Sequence, residues 1–280
     1  MATVIDGTKL GKEIRDELTS QIAQIGDPPP CLATILVGDD PASAIFVRGK
    51  HRACKRNGLL SLDIQLPAST SEAELLARVD ELNADASVHG ILVQLPLPDA
   101  IDEKKIAAAV LPEKDVDGLH PFNVGKLFAN EPGRRPGTAE GCIEILDRSG
   151  VKIEGARAVV IGRSEIVGKP VAMMLLHRHA TVTLCHSRTR DLASIAREAD
   201  ILIVAVGSPR LVKGDWIKPG AAVLDVGTTT IDGKLVGDVD FDAALEVAGL
   251  ITPVPKGIGP LTIAMLLSNT VAACRAQTGR

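Results

Sequence analysis

Gly162 and Gly168 stand on either side of Arg163, Ser164, Glu165, Ile166 and Val167, directly after the apolar run Ala158-Val-Val-Ile161. An apolar strand ending in glycine, a tight polar turn and a second glycine at a helix start let backbone N–H groups approach a phosphate. The usual GxGxxG spacing is absent, because Arg163 and Ser164 fall where a middle glycine often sits. A second strand over 181–185 ends in His186-Ser187-Arg188, where an NAD site usually carries an Asp or Glu for the ribose hydroxyls. Here a carboxylate is missing and a cation is present. Arg163, Ser187 and Arg188 suit a 2′-phosphate, whose oxygens match guanidinium donors. Either arginine taken singly is also an ordinary solvated loop residue. Their coincidence at two loops that should face one dinucleotide favours NADP over NAD.

Three residues in the first half could do proton or hydrogen-bond chemistry. Lys50 falls on a helix predicted over 42–57, one turn after Phe46, so the two side chains share a face. Gln94 ends a strand predicted over 90–95, and the carboxyl ends of strands are where α/β enzymes assemble their sites. Asp115 and Asp117 lie in the short polar loop Lys114-Asp-Val-Asp-Gly118. Each has a bland alternative: a solvated helix lysine, a strand-end hydrogen bonder, a turn former. Spacing alone leaves those alternatives open.

The elements that must position these groups alternate along the whole chain. An amphipathic helix over 8–25 carries Leu10, Ile14, Leu18, Ile22 and Ile25, and strands are predicted over 32–38 and 62–66. Ser71 with Glu74 forms a capping-box pattern ahead of a third helix. Beyond the Pro/Gly-rich stretch 130–137, a helix over 139–149 leads into strands near 158–162, 181–185 and 199–207. The βαβαβ succession predicts a parallel sheet. The fold class is α/β with two domains: a substrate domain over 1–137, completed by a C-terminal helix over 260–280, and a Rossmann-like domain over 138–259. A catalytic cleft is expected between them.

Composition narrows the partners. A net charge of -4 with 2% aromatic residues gives neither a basic field nor stacking platforms, so nucleic acid is not expected. No apolar run approaches the roughly 20 residues that span a bilayer, and no signal segment is visible at Met1; a cytoplasmic protein away from membranes is expected. The five cysteines lack a CxxC pair, and their odd number argues for reduced thiols. No metal is expected, since His177 and His179 would diverge on a helix.

Together, Val37-Gly-Asp-Asp-Pro-Ala-Ser43, Val93-Gln-Leu-Pro-Leu-Pro98, Asp115-Val-Asp-Gly118, Gly162-Arg-Ser-Glu-Ile-Val-Gly-Lys-Pro170 and Ile251-Thr-Pro-Val-Pro255 resemble the bifunctional methylenetetrahydrofolate dehydrogenase/cyclohydrolase family. The resemblance runs in order from about residue 4 to about residue 273. It implies a homodimer that binds folate beside NADP, oxidises 5,10-methylenetetrahydrofolate to the methenyl form and hydrolyses that to 10-formyltetrahydrofolate. By resemblance, Lys50 is the catalytic lysine, Gln94 its hydrogen-bond partner and Asp117 the carboxylate that anchors the pterin. Phe46 and Pro260 are then substrate contacts. Ser164, Ile166, Val167 and Thr228 join Gly162, Arg163, Gly168, Ser187 and Arg188 around the cofactor.

Departures from the family pattern suggest a divergent member. Phe46 replaces a tyrosine, so an aromatic face remains but a hydroxyl that could help place Lys50 or water is gone. Lys256 replaces a glycine, Thr228-Thr229 replaces Ile-Asn, and Ala139 replaces a proline. Two other readings follow: a dehydrogenase-only variant with weak or lost cyclohydrolase activity, and a non-catalytic NADP- or folate-binding paralogue. Retention of Lys50, Gln94 and Asp117 together disfavours the last.

Overall fold

A computed structural model describes the chain from Met1 to Arg280 apart from Ala42. Two compact units emerge: Met1–Lys12 with Pro136–Thr262, and Glu13–Arg135 with Ile263–Arg280. β1 (Thr3–Val4) opens the chain and α1 (Gly7–Ile25) follows, with Ile14, Leu18, Ile22 and Ile25 buried along one stripe. Helices then alternate with strands through β2 (Cys31–Val37), α2 (Pro41–Arg56), β3 (Leu60–Leu66), α3 (Glu72–Ala84) and β4 (Gly90–Val93).

These strands pair in parallel in the order β3-β2-β4. Every residue of the central β2 is buried, which is why it reads as a continuous apolar run rather than an alternation. The helix starts are set by side chains. Asp40 accepts from the Ser43 amide at 2.7 Å ahead of α2, and Ser71 with Glu74 closes the expected capping box ahead of α3. Each such cap contributes about 1 kcal/mol. Two short helices, α4 (Glu103–Ala109) and α5 (Pro121–Phe128), flank the loop that carries Asp115 and Asp117.

The other unit holds α6 (Gly137–Arg148), β5 (Arg157–Ile161), α7 (Gly168–His177), β6 (Thr181–Cys185), α8 (Leu192–Ala196) and β7 (Ile201–Val204). It continues through β8 (Ala222–Asp225), a hairpin of β9 (Thr229–Ile231) and β10 (Lys234–Val236), α9 (Phe241–Leu245) and β11 (Leu250–Ile251). The last helix, α10 (Gly259–Thr278), starts here and runs on into the three-stranded unit. Six strands form one parallel sheet in the order β1-β11-β8-β7-β5-β6. From β5 the chain steps outward to β6, then returns to lay β7 on the opposite flank. The crevice at the carboxyl ends of β5 and β7 is therefore the switch point at which such sheets bind ligands.

The expected domain over 1–137 gives up its first twelve residues to the six-stranded unit. The cause is β1, which pairs with β11 at Thr3↔Leu250 and Val4↔Ile251 and is tied further by Ile5 N to Ile251 O at 2.9 Å. A two-residue strand has no periodicity to read. The C-terminal helix likewise begins at Gly259, with its first four residues grouped in the six-stranded unit. All five cysteines are free and buried. Among the described residues, no helix is long and apolar enough to cross a membrane, and no cluster of His, Cys, Asp or Glu could hold a metal.

Candidate active site

In the three-stranded unit the packing of α2 and the end of β4 bring two of the sequence-selected residues into contact. Val47 and Cys54 bury one face of α2, and Lys50 lies between them on that face. Its Nζ donates to Gln94 Oε1 at 2.9 Å. Gln94 is held twice: its backbone N donates to Ile35 O at 2.8 Å, and its side-chain amide donates to Leu95 O at 2.6 Å. The second bond fixes which end of the amide faces the lysine. Lys50 therefore has a partner without help from residue 46. Phe46 is 51% exposed one turn earlier, an aromatic face turned to solvent.

Asp117 lies close enough to Lys50 for each charge to act on the other, yet burial dominates at both. Burial disfavours the ammonium and lowers Lys50 below the ordinary lysine value, against the upward pull of Asp117. Burial likewise pushes the Asp117 carboxyl up to about 6, against the pull of Lys50 and with added repulsion from Asp115. Such a pair can supply a neutral amine and a carboxylate that is charged only above mildly acidic pH.

The two aspartates of the loop part company in the structure. Asp115 is buried and accepts from Leu119 N at 3.3 Å, His120 N at 2.9 Å and Asn123 Nδ2 at 2.9 Å, so its oxygens are spent on the start of α5. Both aspartates line a small cavity with Ile91, Val93, Ile106 and Leu119, but among the described residues no such set of amides occupies the Asp117 carboxylate. Lys114, which sequence reasoning passed over, is buried and donates to the carbonyls of Leu82, Asn83 and Asp85 at 3.0, 2.9 and 2.7 Å. It satisfies the open end of α3 and anchors the loop just before Asp115. A lysine beside three acidic or turn residues carries no local sign of that role, because its acceptors lie some thirty positions earlier.

In the six-stranded unit, the turn after β5 needs both of its glycines. Gly162 has φ +124, and a Cβ there would overlap the carbonyl oxygen of Ala205 beyond β7. A Cβ on Gly168 would overlap the carbonyl of Gly162. Between them, Ser164 Oγ accepts from Val167 N at 3.2 Å and Gly168 N at 3.3 Å, and Ser164 O accepts from Lys169 N at 3.0 Å. That serine thus shapes the start of α7, and its own hydroxyl hydrogen is left to donate. Val167 is buried under the turn, while Arg163 and Ile166 are exposed.

Arg163 comes alongside the end of β6, since Gly162 N donates to Cys185 O at 2.9 Å. The residues after Cys185 form a tight turn, with Thr189 Oγ1 accepting from His186 N at 2.9 Å and His186 Nδ1 accepting from Arg188 N at 3.2 Å. Ser187 and Arg188 are exposed at its tip, so the donors selected for a 2′-phosphate stand at the ends of adjacent strands. Thr228 is exposed just before β9, and Pro260 is half-buried in the first turn of α10. Neither makes a contact that assigns it a role.

Two family descriptions cover most of the chain: tetrahydrofolate dehydrogenase/cyclohydrolase, catalytic domain, over residues 5–117, and tetrahydrofolate dehydrogenase/cyclohydrolase, NAD(P)-binding domain, over residues 136–278. The bifunctional protein FolD of Moorella thermoacetica is 56% identical over 98% of this chain and 99% of its own. Among solved structures, the bifunctional FolD of Campylobacter jejuni superposes with a TM-score of 0.96 at 45% identity, covering 99% of each chain. The FolD of Trypanosoma brucei, solved with NADP and an inhibitor, gives 0.94 at 43% identity over 98% of each chain. With both halves matched and relatives this similar along nearly their whole length, the chain belongs to the tetrahydrofolate dehydrogenase/cyclohydrolase family.

Proposed function

We propose that this enzyme oxidises 5,10-methylenetetrahydrofolate to 5,10-methenyltetrahydrofolate with NADP and hydrolyses the product to 10-formyltetrahydrofolate. The observation that carries the reading is Lys50 held on Gln94 with Asp117 beside it. NADP supplies the hydride acceptor, and the glycine turn at 162–168 with Arg163, Ser187 and Arg188 is the place for its phosphates. In the hydrolytic step water adds to the methenyl carbon and loses a proton to the neutral amine of Lys50, that proton passes to N5 as the carbon–N5 bond breaks, and the remaining hydroxyl proton leaves to solvent as the formyl carbonyl forms. Asp117 offers two coplanar acceptors to the donor edge of the pterin. The same reading places the enzyme in the cytoplasm as a homodimer, in keeping with its reduced thiols and with the family resemblance.

An absorbance assay tests this directly: purified protein with methylenetetrahydrofolate and either nicotinamide cofactor, then decay of methenyltetrahydrofolate without cofactor. Reduction of NADP and accelerated decay are expected. No reduction of either cofactor overturns the enzyme reading, and faster turnover with NAD overturns the phosphate role of Arg163, Ser187 and Arg188.

Asp117→Asn should raise the KM for folate roughly 10- to 100-fold, the worth of a charge-assisted hydrogen-bond pair. It should also stabilise the fold. A carboxyl raised from 3.8 to about 6 adds most to stability below pH 3.8, and that contribution is lost as pH rises through 6. The variant should therefore melt higher than wild type at pH 8 and equally at pH 3.5. A lower melting temperature at pH 8 with unchanged KM would contradict both halves of the argument.

A further inference from the structure

Two carboxylates lie beneath the loops that follow β7 and β8, and the chemistry described so far uses neither. Asp225 is 4% exposed and Asp238 is 0% exposed. Asp238 Oδ2 accepts from Val206 N at 2.7 Å and Gly207 N at 2.9 Å, which fixes the turn after β7. Asp225 Oδ1 accepts from Gly227 N at 3.1 Å and Asp238 N at 2.9 Å, and its Oδ2 accepts from Val239 N at 2.9 Å, which fixes the turn after β8. Two glycines make the room: a Cβ on Gly227 would overlap the Asp238 carboxylate, and one on Gly237 would overlap Asp225 Oδ2.

The pair is electrostatically odd. The two carboxyls repel one another, and burial with that repulsion pushes Asp225 up to about 6. Neither makes an ion pair among the described residues, and Asp238 Oδ1 is buried with no hydrogen-bond partner at all. Backbone amides alone hold the charge. Both amides at the turn after β7 go to one oxygen of Asp238, so a neutral Asn could staple that turn at lower electrostatic cost and fastening it does not by itself account for an anion there.

Topology indicates what would lie over those loops. If the 2′-phosphate end of the dinucleotide lies at the ends of β5 and β6, its other half must extend the opposite way across the crevice, over the ends of β7 and β8. That half ends in a nicotinamide ring, cationic when oxidised and neutral when reduced. We propose that Asp225 and Asp238 are positioning residues for the nicotinamide half of the site, and that their uncompensated negative charge favours the oxidised cofactor over the reduced one. This rests on the assignment of the 162–168 turn to NADP.

The test is the dissociation constants of NADP⁺ and NADPH at pH 8, measured by calorimetry on the purified protein and on Asp238→Asn, whose amide can still accept from Val206 and Gly207. Removing one buried charge should weaken NADP⁺ about fivefold and leave NADPH within about twofold, as Coulomb attraction at several ångströms in a partly screened site allows. Equal weakening of both cofactors marks a purely structural role and overturns the proposal, as does no change in either. The wild-type protein adds a reading independent of any variant: NADP⁺ should bind no more weakly than NADPH, and NADPH binding tenfold tighter overturns the proposal. Failure of wild type to bind either cofactor would instead refute the assignment of the glycine turn.

Discussion

Lys50→Met should slow hydrolysis of methenyltetrahydrofolate by about 10²- to 10⁴-fold, the range a positioned general base contributes. Methionine keeps the length of the side chain and its packing on α2 while removing the amine that Gln94 Oε1 now holds at 2.9 Å. Hydride transfer needs the two reactants aligned and has less need of a base, so the dehydrogenase rate should fall by only about tenfold or less. Decay of the methenyl absorbance without cofactor reads the first effect, and NADPH formation reads the second. Wild type itself carries a related signature. Because burial lowers Lys50, the hydrolysis rate should climb with pH as the ammonium deprotonates and level off below the ordinary lysine value of 10.5. Equal hydrolysis in wild type and variant would remove Lys50 from the mechanism.

Gly162→Ala should act on the other activity. The position combines a φ of +124, which side chains rarely adopt, with a Cβ that would overlap the Ala205 carbonyl oxygen. Strain of this kind costs about 1–3 kcal/mol before the overlap is relieved. The backbone that must shift to relieve it is the turn holding Arg163 and Ser164 and the neighbouring end of β7. NADP affinity should therefore drop on the order of 100-fold. Hydrolysis of methenyltetrahydrofolate in the absence of cofactor should be retained, since Lys50, Gln94 and Asp117 belong to the other unit. A titration showing unchanged cofactor affinity would sink this account of the turn.

What the sequence reveals depends on how far apart the interacting groups are. The glycine turn is legible because its strand, turn and helix are contiguous, although the overlap that requires Gly162 comes from the distant Ala205. Lys50 and Gln94 could be selected by type and placement, but their hydrogen bond spans 44 positions and appears only when α2 and β4 pack. The split between Asp115 and Asp117 is decided by Asn123 and by the amides at the start of α5, so the motif alone could not say which carboxylate is consumed by the fold. Asp225 and Asp238 escaped notice for the same reason, since turns after two different strands supply their donors. The β9–β10 hairpin is a different case. Thr229–Ile231 and Lys234–Val236 meet across Asp232-Gly233, both at positive φ, and an Asp-Gly pair of this kind is a local hairpin signal.

The pairing of β1 with β11 bears on how the chain is made. Residues 3 and 4 leave a ribosome long before their partners at 250 and 251. The three-stranded unit waits longer still, since it includes Ile263–Arg280. Neither unit is a contiguous stretch that could mature while the other is being translated. Non-local closure of this kind is slow and leaves partly built sheets exposed until the last helix is available. Late completion of both units is thus built into the order of the elements.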